Sequence, residues 1–239
     1  MSNCNHCNNE LTGKYCSNCG QPVQMKRVDG HYILHEIEHV LHFERGILFT
    51  IKELLLRPGK SVKEFIVKDR SKLVKPIIFI IISSLIYTLT IHFFHIENQY
   101  INLSGEENTG AGAIFTWSQN HYGYANIIIG LCVAFWLKLF FRKYGYNFFE
   151  ILILLCFVIG MEMLVLSVFA LFEGLTHFNL MKISGMVGTL YCAWATGQFF
   201  DKNKLTAYLK ALASILLGLI LFSILGFVVG LLIDLVIKH

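Results

Sequence analysis

A chain of 239 residues that is 55% apolar and only 15% charged, with net charge +4 and mean hydropathy +0.57, is too apolar for a soluble globule. Soluble domains carry roughly 45–50% apolar and about 25% charged residues. Three prolines also exclude collagen-like and low-complexity structure. The solvent of this chain is largely lipid, and its sequence names no biochemical activity.

The chain opens on Cys4, Cys7, Cys16 and Cys19, spaced C-x2-C-x8-C-x2-C. Four thiolates complete a tetrahedral Zn²⁺ shell and leave no open position for substrate, so the reading is a structural zinc ribbon over residues 1–24. A rubredoxin-type iron site and four free thiols are the alternatives. A segment this small has almost no core, and metal binding would supply most of its folding free energy. Met1 to Gln24 is polar, so no signal peptide is expected and the first span acts as its own insertion signal.

Residues 25–75 are read as amphipathic juxtamembrane helices. Ile33, Leu34, Ile37, Val40 and Leu41 share one helical face, and His31, His35, His39 and His42 share the other. His35-Glu36-Ile37-Glu38-His39 matches H-E-x-x-H formally, in which two histidines one turn apart hold a metal and Glu36 acts as base. Three readings stay open: a solvated helix face, a second metal or pH-sensing set, and a metallohydrolase. A short helix from Gly46 to Leu56 stops at Arg57-Pro58-Gly59. Ser61 and Glu64 then form a capping box, starting a helix whose Val62, Phe65, Ile66 and Leu73 oppose Lys60, Lys63, Lys68, Arg70, Lys72 and Lys75. That pattern predicts a polybasic helix resting on an anionic inner leaflet.

Five apolar runs are long enough to cross about 30 Å of hydrocarbon as helices: Pro76–His95, Ala125–Phe141, Asn147–Phe172, Ile183–Phe200 and Ala211–Ile237. None alternates in the manner of a barrel strand. The fold class is therefore all-α, a polytopic helical membrane protein with about five transmembrane helices over residues 76–239. All but Lys182 and Lys238 of the 20 Lys and Arg fall on one side of this path. The N-terminus is thus predicted cytoplasmic and the C-terminus outside. The basic balance serves topology, and no nucleic-acid partner is expected.

Glu162 lies far inside the third span, and an ionisable group at membrane depth is a functional candidate by default, for transport, proton relay or catalysis, against the alternative of a satisfied helix-packing hydrogen bond. Its expected neighbours are Ser83, Ser84, Thr88, Thr189, Tyr191 and Gln198, with Lys138 able to snorkel away. Cys132, Cys156 and Cys192 read as small buried apolar residues. Two four-residue ladders of mostly small residues, Gly185-Thr189-Ala193-Gly197 and Ser214-Gly218-Phe222-Gly226-Gly230, predict that the fourth and fifth spans pack together, within one chain or across a homo-oligomer. Trp117, Tyr122 and Tyr124 suit an interfacial belt.

Tyr15-Cys16-Ser17-Asn18-Cys19-Gly20-Gln21, Lys26-Arg27, His35-Glu36-Ile37 with His39, Gly46-Ile47-Leu48 with Thr50, Leu54 to Lys60 around Arg57-Pro58-Gly59, and Arg70 before Lys75-Pro76 resemble the family known as domain of unknown function 3667. The chain departs from that pattern at Glu44, where Asp is usual, and at Lys68-Asp69-Arg70, in place of Gly-Lys-Arg. The resemblance implies a bacterial inner-membrane protein with a cytoplasmic zinc ribbon, and it implies no activity. Three functions follow for test: an adaptor or scaffold that recruits a protein partner, a small transporter or channel using Glu162, and a membrane metallohydrolase using His35, Glu36 and His39.

Overall fold

The computed structural model describes residues 17–18, 46–94, 96, 112, 114, 116–118, 122–176, 178 and 180–237. The helices among the described residues belong to the unit Arg45–His239. In chain order they are α1 (Ile47–Leu56), α2 (Pro58–Val67), α3 (Pro76–Phe93), α4 (Tyr122–Phe140), α5 (Phe148–Thr176), α6 (Met181–Asp201) and α7 (Leu205–Ile237), with a 3-10 turn at Arg142–Tyr144 between α4 and α5. No strand occurs among the described residues, so the all-α class stands. The five apolar runs are the helices α3 to α7. Three are long and apolar enough to cross a membrane: Pro76–Phe93, Phe148–Thr176 and Leu205–Leu232. Tyr124–Phe140 is apolar but shorter, while α6 is diluted by Lys182, Ser184, Thr189, Thr196 and Gln198.

α5 is the centre of the bundle and packs against α3, α4 and α6. It is apolar on every face, as an enclosed helix must be, and Ile151, Leu154, Phe157 and Val158 are fully buried. Gly160 lies against Phe79 and Ile80, and Gly174 against Phe94. These two contacts make α3 and α5 parallel and set Pro76 level with about residue 157, roughly 14 Å along α5 from its start at 1.5 Å per residue. An 18-residue α3 beside a 29-residue α5 therefore leaves the lower part of α5 bare.

α2, the second arm of the α1–α2 hairpin, occupies that space. Phe65 of α2 meets Phe157 edge-on at 5.2 Å between centroids, and Phe157 meets Phe79 at 5.8 Å, so α2 sits beneath the start of α3. Val62, Phe65 and Ile66, the face read from the sequence as lipid-facing, are buried against α5 and α6. The periodicity was sufficient to find that face, but what covers it is protein.

Two further local expectations are corrected. α2 starts at Pro58, not at Ser61: proline lacks the amide that the first turn leaves unpaired, and its fixed φ suits the first helical position. The Ser61 amide already donates to Arg57 O at 3.0 Å, so no capping box forms there. The helix also ends at Val67, and residues 68–75 form a turn in which the Asp69 carboxylate accepts from the Ser71 amide at 2.8 Å and hydroxyl at 2.6 Å. Leu73 is buried in that turn. A reciprocal box does exist at α5, where the Asn147 amide donates to Glu150 at 2.7 Å and the Glu150 amide to Asn147 at 2.9 Å.

The small-residue ladders divide between two neighbours. Gly197 receives Tyr208 of α7, as the packing of the fourth and fifth runs requires, but Gly218 of α7 receives Val133 of α4 and Gly185 faces open space. The turns at the hairpin's end of the bundle meet through a stack of Phe141 on Phe200 at 3.9 Å and a contact of Tyr146 with Phe199 at 4.7 Å. Lys138 reaches the same end and donates to Tyr146 O at 2.6 Å.

Candidate functional site

The densest set of side-chain hydrogen bonds among the described residues lies where the hairpin meets α6. Thr50, Glu53 and Leu54 share the buried face of α1, as residues three and four apart must. The Glu53 carboxylate accepts both arms of Arg57, Nε at 2.9 Å and Nη2 at 2.6 Å, and the Ser61 hydroxyl at 2.8 Å. This bidentate fork closes the α1–α2 corner. Arg57, with Ser61 beside it, holds the Glu53 carboxyl below the usual carboxylate range despite its burial.

Three bonds then fasten the corner to α6. The Tyr191 hydroxyl donates to Leu54 O at 3.0 Å, the Gly59 amide donates to Gln198 Oε1 at 2.8 Å, and Lys63 Nζ donates to Phe200 O at 3.4 Å while lying over the Phe199 ring. Gly59 is required by contact, because a methyl group there would fall on the backbone of Gln198 and Phe199. Burial draws the Lys63 ammonium below the usual lysine range, opposed by Asp201. One turn back along the same face of α1, Thr50 accepts the Val74 amide at 3.1 Å and ties the turn before α3 to the hairpin. Glu64 is held low by Lys72 at 2.6 Å. Each of these side chains has a partner, and the arrangement works as a clamp.

Glu162 is the second polar feature, on the α5 face turned toward α6. The Cys192 thiol donates to its Oε2 at 3.1 Å, and its carboxyl lies over Gly188, where an added methyl would come within 3.0 Å of Oε1. Thr189, Tyr191 and Gln198, expected from the sequence as its neighbours, make their hydrogen bonds to other groups. Thr189 donates to Gly185 O, Tyr191 and Gln198 bond the hairpin, and the buried Ser83 hydroxyl has no partner among the described residues. Cys192 is thus a donor as well as a small buried residue, and no lysine or arginine pairs with Glu162 among the described residues. Gly188→Ala is expected to cost about 1 kcal/mol by crowding the carboxyl. In a Glu162→Ala background that cost should vanish, which a double-mutant cycle on thermal stability reads directly.

Cys4, Cys7, Cys16 and Cys19, the histidines His31, His35, His39 and His42, and Glu36 lie outside the described residues. Among the described residues no three His, Cys, Asp or Glu side chains converge on one point. The sequence missed Gly59 as a contact residue, since Arg57-Pro58-Gly59 reads only as a stop, and it missed Cys192 because a thiol gives no polar signal within an apolar run.

No curated protein and no solved structure matches the chain. Residues 44–88 match a family model described as Protein of unknown function (DUF3667). The matched segment carries the clamp's Thr50, Glu53, Arg57, Gly59 and Ser61 and leads through the turn into α3.

Proposed function

We propose that this is a multi-pass protein of the bacterial cytoplasmic membrane that serves as an adaptor or scaffold. Its four-cysteine segment binds one structural Zn²⁺ in the cytosol and recruits a protein partner, and the helices anchor that assembly. The observation that carries this reading is the clamp. The chain that follows the cysteine and histidine segments enters the bundle through a corner fastened at Tyr191, Gln198 and Phe200. A recruiting module needs such a fixed point of attachment, whereas a pore or an active site would need an open polar cavity. The donor chemistry supports the metal, because four thiolates in paired C-x2-C units match tetrahedral zinc. The charge asymmetry of the loops supports an inside N-terminus, with α3 to α7 as five crossings.

Elemental analysis of the purified chain is expected to give one zinc per chain, lost in Cys4→Ser and Cys16→Ser. Two per chain, with one surviving those substitutions, would instead support a second set at His31, His35, His39 and His42 and reopen metallohydrolase chemistry at Glu36. Affinity capture should lose the partner in the same cysteine variants while the bundle still inserts. Partners unchanged in an inserted, zinc-free variant would remove recruitment by the ribbon. A second reading, a small transporter or channel, draws support from the Glu162 carboxyl placed between α5 and α6 beside Cys192. Proteoliposome flux abolished by Glu162→Gln would establish it, and flux indifferent to that change would remove the residue's role.

A further inference from the structure

We propose that the cleft between α1, α3 and α5 is a binding site for one acyl chain of an anionic bilayer phospholipid, whose headgroup pairs with Lys52. The cleft encloses about 420 Å³ and is walled by Ile51 and Leu55 of α1, Ile86 and Thr90 of α3, and Ser167 and Val168 of α5. That volume falls within the range of about 300–1,000 Å³ typical of ligand-sized cavities. Its chemistry selects hydrocarbon. Both hydroxyls on the wall spend their protons on their own helices, Thr90 on Ile86 O and Ser167 on Met163 O, each at 2.8 Å. Neither hydroxyl is left to donate to a polar ligand, and the remaining wall is apolar, with Met161 and Phe169 beside its aliphatic residues.

Charge identifies the class of lipid. Lys52 adjoins Ile51 on α1, is exposed, and makes no ion pair or hydrogen bond among the described residues, whereas Arg57, Lys63 and Lys72 all have partners. Its helical neighbours Leu48, Leu55 and Leu56 are exposed and apolar. A lone cation on an apolar helix stretches its ammonium to the headgroup layer, where a phosphodiester supplies the missing charge. The α1 wall is tied to α6 at Leu54 and to the turn before α3 at Thr50, which makes the cleft a fixed site and not a stretch of exchanging annular lipid. This inference rests on placement in a membrane alone, and its failure would leave the adaptor reading untouched.

Native mass spectrometry of the full chain released from nanodiscs of mixed phosphatidylglycerol and phosphatidylcholine tests it. The expected result is one retained phosphatidylglycerol per chain. Leu55→Trp and Val168→Trp, which fill the cleft, should each reduce retention by at least about tenfold. Lys52→Gln, a surface change that leaves the fold alone, should keep a lipid bound but lose about fivefold in preference for phosphatidylglycerol, the worth of one lysine against an anionic surface. Complete delipidation of the unaltered chain would overturn the proposal, as would a lipid preference indifferent to Lys52→Gln. A paired-chain mass reduced to a single chain by Val168→Trp would also overturn it, since the cleft would then hold a second copy.

Discussion

Gly59→Ala is expected to detach the hairpin from the bundle. The added carbon would fall on the peptide between Gln198 and Phe199, and backbone within a helix cannot rotate aside as a flexible side chain can. Either α2 moves out, losing the Gly59 to Gln198 bond and the burial of Val62, Phe65 and Ile66, or α6 bends. Overpacking a tight interface typically costs about 1–3 kcal/mol, and loss of the bond adds roughly 1 more. The total of about 3 kcal/mol should appear as a large fall in melting temperature and as new tryptic cleavage at Lys60. Gly185→Ala is the matched control, since nothing lies near its added methyl, and it should be close to neutral.

Glu53→Ala is the second large effect. It removes the common acceptor of Arg57 and Ser61, leaving the hydroxyl of the buried Ser61 without its partner. Breaking a fully buried ion pair from one side costs roughly 3–5 kcal/mol. The Arg57 side chain is 47% exposed and regains water, so about 2 kcal/mol is expected for Glu53→Ala and less for Glu53→Gln, which keeps an acceptor for Ser61. The pH dependence has a definite sign. Arg57 lowers the folded value below the ordinary 4.5. The carboxylate's contribution is therefore complete above pH 4.5 and is lost as the pH falls below that value through the depressed native one. Acid melting curves of the unaltered chain should converge on those of Glu53→Gln at low pH and separate from them toward neutrality.

The legible part of this fold was its hydropathy. Lys75-Pro76 marks the start of α3 because proline favours the first helical turn, and the apolar runs gave α4 to α7 to within a few residues of their ends. The exception is the first turn of α7, where Leu205 to Lys210 looked like part of a charged turn. Periodicity also picked out Val62, Phe65 and Ile66 as one face. It could not say what covers that face, because the same stripe suits a lipid surface and a neighbouring helix. The answer depended on the length mismatch between α3 and α5, which no local pattern encodes. Turn chemistry was ambiguous for a similar reason. Ser61 with Glu64 and Asn147 with Glu150 both fit the capping-box spacing, but only Asn147 lacks a proline upstream that claims the first helical position. Glu162 was visible as a polar group in an apolar run, whereas its partner Cys192 was not, since a cysteine among Tyr191, Ala193 and Trp194 reads as one more packing residue.

Hydrogen exchange of the unaltered chain in lipid nanodiscs tests the docked hairpin most directly. Amides of residues 59–67 and of Val74 are predicted to exchange as slowly as those of 195–201 in α6, because Gly59 and Val74 donate to Gln198 and Thr50 in the interior and α2 is covered by α5 and α6. Exchange across 59–74 at the rate of an exposed surface helix, with α5 and α6 still protected, would contradict the account.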